Sequence, residues 1–464
     1  MPASRSIPLP GGVALRSSRD SLSPVAVANP GAGRTTFLGL IDIAIVGLIL
    51  LAVVSIFTIS TTMLTHWKIH YLSAGGNFYE KLHPATYFTV LAFGLVLIRK
   101  ADPVGELVRV FSEARLLLVY LFCWLCLLTQ MIVLERPFTV IIDTFLLPLL
   151  LVLIIWQLSP AQKRPVIWAL HAAIFVNIVI GFYEYRSGHR LFPLTVGDVV
   201  VLGEWRASAL LGHPLTASGV VAGYVLALVF RPAICPSPAI RLPLIAFALA
   251  SLMAFGGRTA LVTTLFLIGM ATAYQMLRLL RGGRIPLLVV VAAICVIFVA
   301  AAGIFTAFDL GFFDKMLLRF SSDKGSANAR YATLNLLSRF SWQELILGPN
   351  PVRVAAMQST YGLKYGIENF WVSCIVQFGI VHTMLLTIGL GALFAEILKR
   401  ASHAAWAILF LVLIVAASSV SFSSKNIQLA QFITLIVLLL PRDRAVTPRP
   451  SHPRPRQRFV PRYT

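Results

Sequence analysis

The chain has 464 residues, 58% of them hydrophobic and only 12% charged, and its 39 lysines and arginines outweigh 18 acids for a formal charge of +21. Soluble domains carry about 25% charged residues, so this composition excludes an ordinary soluble enzyme and reads as an all-α, polytopic membrane protein. A charge of this size first suggests nucleic acid. Much of it lies in the two tails and in short connections, however, and no basic, aromatic-interleaved domain exists to hold such a partner.

Residues 1–36 are rich in Pro, Ser, Gly and Arg and read as a disordered cytoplasmic tail. The apolar run from Phe37 is too long for a signal-peptide core and reads as an uncleaved anchor. Apolar runs then predict about 12 transmembrane helices. They lie near 37–59, 84–98, 114–133, 138–158, 165–183, 214–230, 242–256, 259–278, 285–306, 369–395, 404–421 and 426–441. Nine of them fall within 37–306 and three within 369–441. A polar segment at 307–368 separates the two groups, and a basic tail follows at 442–464.

Every second connection is basic: Arg99 and Lys100, Lys163 and Arg164, Arg231 and Arg241, Arg278 and Arg281, Lys399 and Arg400. The positive-inside rule places these connections and both termini in the cytoplasm. The segment 307–368 is then a long loop on the opposite face, between helices 9 and 10. A long loop there, without an internal repeat, argues against a major-facilitator layout.

Candidate chemistry clusters on that opposite face. Arg206 precedes the sixth span and would either bind a phosphate through its planar fork or mark the interface. His213, before Pro214, would either carry a proton or orient the turn. Gly256-Gly-Arg-Thr is so tight that Arg258 must open the eighth span, where free N–H groups attract anions; the other reading is snorkelling. Arg330 lies in a helix-compatible stretch of the long loop, with Arg319, Arg339 and Arg353 as alternatives. Glu368-Asn369 opens the tenth span. There the carboxylate is either a general base at a dehydrated boundary or an acid favoured by the helix dipole. Asp42 and Asp143 fall in or near spans without an evident basic partner, and Cys123 and Cys126 read as buried small hydrophobes. No external segment carries the Asp-x-Asp of a metal-diphosphate clamp, and no glycine-rich P-loop is present, so neither a metal nor a cofactor is expected.

Arg206-Ala-Ser-Ala-Leu-Leu-Gly-His-Pro, Gly257-Arg-Thr-Ala, Arg330, Leu347-Gly-Pro, Glu368-Asn369 and Phe378-Gly-Ile occur in that order. Together with the topology they resemble the bacterial O-antigen ligase and O-antigen polymerase superfamily, over about residues 37–440. The resemblance implies an inner-membrane enzyme with a periplasmic loop between helices 9 and 10. Its reaction would be inverting, metal-independent glycosyl transfer from an undecaprenyl-diphosphate-linked glycan to a glycan or lipid-linked acceptor. Arg206, Arg258 and Arg330 would hold the diphosphate, Glu368 would activate the acceptor, and His213 and Asn369 would support them. A flippase and a chain-length regulator are partners in keeping with that role. The ligases commonly carry a histidine where this chain has Glu368, which favours a repeat-unit polymerase over a ligase to lipid A-core. A transporter of lipid-linked sugars is the expectation from another class.

Overall fold

The computed structural model describes residues 30–73, 75–100, 102–196, 199–200, 205–230, 237–281, 305, 308–309, 311, 314, 326–363, 366–418 and 424–442. In order, the helices before the polar segment are α1 (Pro30–Thr58), α2 (Thr61–His66), α3 (Pro84–Ile98), α4 (Pro103–Glu113), α5 (Arg115–Val133), α6 (Thr139–Gln157), α7 (Pro160–Ser187), α8 (Pro214–Phe230), α9 (Pro238–Phe255) and α10 (Arg258–Leu280). Within and after it come α11 (Ser326–Leu337), α12 (Trp342–Leu347), α13 (Pro351–Thr360), α14 (Phe370–Arg400), α15 (Ala405–Ser418) and α16 (Gln428–Leu439). Among the described residues the strands are β1 (Thr195–Val196) and β2 (Val199–Val200), an antiparallel pair in the connection before α8.

The helix starts follow from their sequences. Pro160 and Pro84 occupy first-turn positions that need no N–H. Ser159 and Gln162 form a reciprocal capping box, and α7 ends at Gly188 with a left-handed φ of 71°. Six helices are long and apolar enough to cross a membrane: α1, α5, α6, α7, α10 and α14. Five more helices, α3, α8, α9 (over Ala239–Phe255), α15 and α16, carry apolar stretches of 10–17 residues. These eleven coincide with the predicted runs; the run at 285–306, apart from residue 305, and most of both tails lie outside the described residues. Large apolar side chains stand open on the outer faces, among them Phe122, Val133, Phe266 and Met384, as expected where lipid rather than water is the solvent.

Contacts between helix termini sort the bundle into two ends. At the basic end, Arg99 meets Asp42 at 2.9 Å, Arg109 meets Gln157 at 3.1 Å, and Arg400 donates to the Glu113 carbonyl at 2.6 Å. At the loop end, the Ala207 amide donates to the Ala254 carbonyl at 3.0 Å, and Lys425 donates to the Tyr71 carbonyl at 3.1 Å. The helices therefore alternate in direction, and Arg206, His213, Arg258, Glu368 and Asn369 lie at the loop end, whereas Asp42 lies at the basic end.

The polar segment is more than a loop. α11, α12 and α13 build a small core of Leu336, Phe340, Leu345, Val354, Leu363 and Ile367 against Val372 and Val376 of α14. Ser341 and Glu344 cap α12 reciprocally, and Asn350 caps α13. Hydrogen bonds from Ser341, with Arg353 beside it, hold the Glu344 carboxyl below its ordinary range. Arg353 also lies over the Phe340 ring at 5.4 Å, and Arg339 over the Tyr361 ring at 5.7 Å. Two of the alternative arginines thus hold this cap together.

The cap is seated through a break in α14. Gly379 has φ 83° and ψ 164° inside the helix, and a β-carbon there would run into the Ile346 carbonyl and the Gly348 amide. The break frees carbonyls that need donors. Gln130 of α5 supplies two bonds, to Phe378 at 2.7 Å and Leu347 at 3.0 Å. Arg136 donates to the carbonyls of Gln377, Gly348 and Pro349. Leu347-Gly-Pro and Phe378-Gly-Ile, distant in sequence, are therefore the two halves of one joint.

Candidate functional site at the loop end

The arginine corner is built from α7 outward. Glu184, 2% exposed, accepts from the amides of Leu191 (3.1 Å), Ser208 (2.8 Å) and Ala209 (2.8 Å). One carboxylate so closes the connection that carries Arg206. Arg190 donates to the Arg206 carbonyl, and the neighbouring Ala207 amide is tied to α9. This places the Arg206 side chain on the turn between α9 and α10. Gly256 in that turn has φ 63°, and a β-carbon on it would stand 2.7 Å from Arg206 Cγ and 2.8 Å from Cδ. The turn then runs against Ser218 of α8 at Gly257 and delivers Arg258 as the first residue of α10. Arg206 and Arg258, 52 positions apart in the sequence, thus share one half-buried turn at a helix N-terminus.

Glu368 and Asn369 are half-buried at the start of α14. Asn369 caps that helix by accepting from the Val372 amide at 3.1 Å, and it reaches the Ala417 carbonyl at 3.5 Å. Glu368 therefore sits beside the last turn of α15, and α15 in turn packs on α8 and α10. His213 precedes α8 and accepts from the Leu215 amide at 3.2 Å through Nδ1. The turn-orienting reading of His213 is thus directly visible, and Asn369 serves as a helix cap. Arg330 falls in α11, with its side chain outside the described residues, as is Arg319.

A buried polar network at this end joins Asp143, which the sequence singled out, to Lys425, which it did not. Asp143, fully buried, accepts from Tyr71 Oη (2.8 Å), Thr86 Oγ1 (2.6 Å) and the His83 amide (3.1 Å), and Lys425 Nζ stands 4.0 Å away. Lys425 also donates to the carbonyls of Tyr71 and Lys81 and, at 3.4 Å, to Thr139. Burial pulls the lysine down to about 8 and the His83 imidazole below its usual range, and burial beside Asp143 pushes the Tyr71 phenol well up. Asp143 lies in a widened π turn, Ile142–Leu146, just before Pro148. Tyr120 and Trp124 donate to the carbonyls of Phe145 and Ile141 around that turn. The expectation that the two intramembrane acids lack basic partners is thus corrected: Asp143 is paired with Lys425 and Asp42 with Arg99. Lys425 carried one signal, a lone lysine in the short connection just before the last apolar run.

Comparison with protein-family models, with curated proteins and with solved structures found no match.

Proposed function

We propose that the protein is a polysaccharide polymerase of the O-antigen ligase and polymerase type. In this reading it sits in the bacterial inner membrane with twelve spans and both termini in the cytoplasm. It joins lipid-diphosphate-linked oligosaccharide repeats at the periplasmic face. The observation that carries the reading is the shared turn of Arg206 and Arg258, at the same end of the bundle as Glu368.

Two cations on one half-buried turn, beside the open N–H groups of α10, suit a diphosphate better than a single phosphate. Glu368 takes the proton from an acceptor hydroxyl as that oxygen bonds to the anomeric carbon of the donor. The bond from the anomeric carbon to the phosphate oxygen breaks, and its electron pair leaves with the lipid diphosphate. The arginines neutralise the charge that builds there. Attack from the side opposite the leaving group inverts the anomeric centre. Arg330, from the cap, is the third cation of this proposal, and ligation to lipid A-core is the variant with a different acceptor.

One observation favours a transporter instead: the buried Asp143, Lys425, Tyr71 and His83 network is of the kind that carries protons in membrane proteins. Glu368→Gln separates the two readings when lipid-linked repeats are followed in spheroplasts. The polymerase reading expects single repeats to reach the periplasmic face and stay unjoined. Polymer at the normal level in this variant would remove Glu368 from the mechanism, and repeats held on the cytoplasmic face would support transport.

A further inference from the structure

A cavity of about 800 Å³ opens at the basic end, at the opposite pole of the bundle from Glu368 and the arginine turn. Glu113 of α4, Trp156 of α6, Lys163 of α7, Arg400 of α14, and Pro441 and Arg442 after α16 line it. Each lies at a helix end. Lys163 is in the first turn of α7, Glu113 and Arg400 are last in α4 and α14, Trp156 is next to last in α6, and Arg442 lies three residues beyond α16. The cavity is therefore at the level of lipid headgroups rather than of acyl chains.

The backbone builds a cation pair in its wall. The segment after α16 runs antiparallel to the end of α14: Ala401 bridges Pro441, the Ser402 amide donates to the Leu440 carbonyl at 2.8 Å, and the Arg442 amide donates to the Arg400 carbonyl at 2.9 Å. This register sets Arg400 directly opposite Arg442. Like charges so placed are destabilising. The Arg400 guanidinium lies over the Trp156 ring at 4.1 Å and donates to the Glu113 carbonyl, and Arg442 donates to the Lys399 carbonyl at 3.3 Å. Carbonyls orient the two cations without neutralising them. The neighbouring carboxylates serve other cations: Glu396 meets Lys399 at 3.0 Å and Arg400 at 3.7 Å, and Glu113 meets Arg109 at 2.7 Å. Among the described residues, three cations from three elements thus share the cavity wall with one carboxylate.

An anion between Arg400 and Arg442 removes their repulsion, and the guanidinium fork suits phosphate oxygens. Small-molecule sites have volumes of about 300–1,000 Å³, and this cavity is larger than a bare phosphate fills. Its level points to a phosphate that arrives on a lipid, because basic pockets between spanning helices are seats for acidic headgroups. We propose that this cavity seats the headgroup phosphate of an acidic glycerophospholipid, bridged by Arg400 and Arg442 with Lys163 as the third cation. The site is separate from Glu368 and the arginine turn, and it stands whether the protein polymerises, ligates or transports.

The test uses the full-length protein in dodecyl maltoside, titrated with dioleoyl phosphatidylglycerol or dioleoyl phosphatidylcholine and read by native mass spectrometry. Phosphatidylglycerol should bind about tenfold more tightly than phosphatidylcholine, the effect of one charge-assisted hydrogen bond. Lys163→Gln/Arg442→Gln should remove that preference. Arg164→Gln should keep it, because Arg164 is exposed beside Lys163 on α7 but does not line the cavity. Without added lipid the double variant should melt no lower than the parent, since it relieves repulsion, whereas cations needed for the fold would lower it. Equal binding of the two lipids, an unchanged preference in the double variant, an equal loss with Arg164→Gln, or a lowered melting temperature without lipid would each overturn the proposal. Displacement of phosphatidylglycerol by inorganic phosphate would overturn it too, by assigning the cavity to a soluble anion.

Discussion

The two ends of the bundle handle charge in different ways. At the basic end, cations meet carboxylates on the same or adjacent helices: Arg109 with Glu106 and Glu113, Lys399 with Glu396, Arg99 with Asp42. These pairs are partly exposed; the Arg109 and Lys399 pairs follow helical spacing, and Arg99 with Asp42 joins the ends of two neighbouring helices. At the loop end, Arg136, Arg190 and Lys425 donate instead to backbone carbonyls of irregular segments, and Asp143 and Glu184 accept from backbone amides. Charge at one end decorates finished helices; at the other it stands in for the backbone partners that broken helices and long connections lack. The second use is structural first, and it leaves a half-buried polar surface at the end where chemistry is proposed.

This contrast is most sharply broken at Asp143. Asp143→Ala would leave Lys425 buried without its counter-charge, which costs about 3–5 kcal/mol. We expect loss of the folded protein in a fluorescence-detected melt, with Asp143→Ala/Lys425→Met recovering part of it. A loss no larger than at a surface pair would end the distinction between the two ends. Gly379→Ala comes next: a left-handed φ and a blocked β-carbon position should cost about 1–3 kcal/mol or more. Limited proteolysis should then cut first within the cap, whose seat depends on that break.

The third expectation concerns pH. Lys425 is held at about 8 in the fold against an ordinary 10.5. Between those values the unfolded chain binds the extra proton, so stability rises with pH across that window. The melting temperature should climb from pH 8 towards 10.5, and Lys425→Met should flatten the climb. The smallest effect belongs to the basic end. Glu113→Gln removes one exposed pair with Arg109 four residues before it, worth about 0.3–0.5 kcal/mol.

Helix positions were legible because apolar length and basic connections are local signals. α8 was read to the residue, at 214–230, and α5 within one residue. Arg206 and Arg258 were legible as cations at helix entrances, but their shared turn depends on Glu184, which closes a connection from 22 residues upstream of Arg206. Asp143 and Lys425 were illegible as a pair because no periodicity links α6 to the segment before α16. The cap looked like a loop because its helices are short and its core takes two of its members, Val372 and Val376, from α14.

The break at Gly379 divides α14 into two rods of unequal length. The short upper rod shares a core with the cap and is pinned to α5 by Gln130 and Arg136; the long lower rod runs on to the basic end. Cap, upper rod and the start of α14 at Glu368 are therefore one packed body, joined to the rest of α14 at Gly379. A substitution that disturbs the Gly379 joint is expected to be felt at Glu368 as well as in the cap.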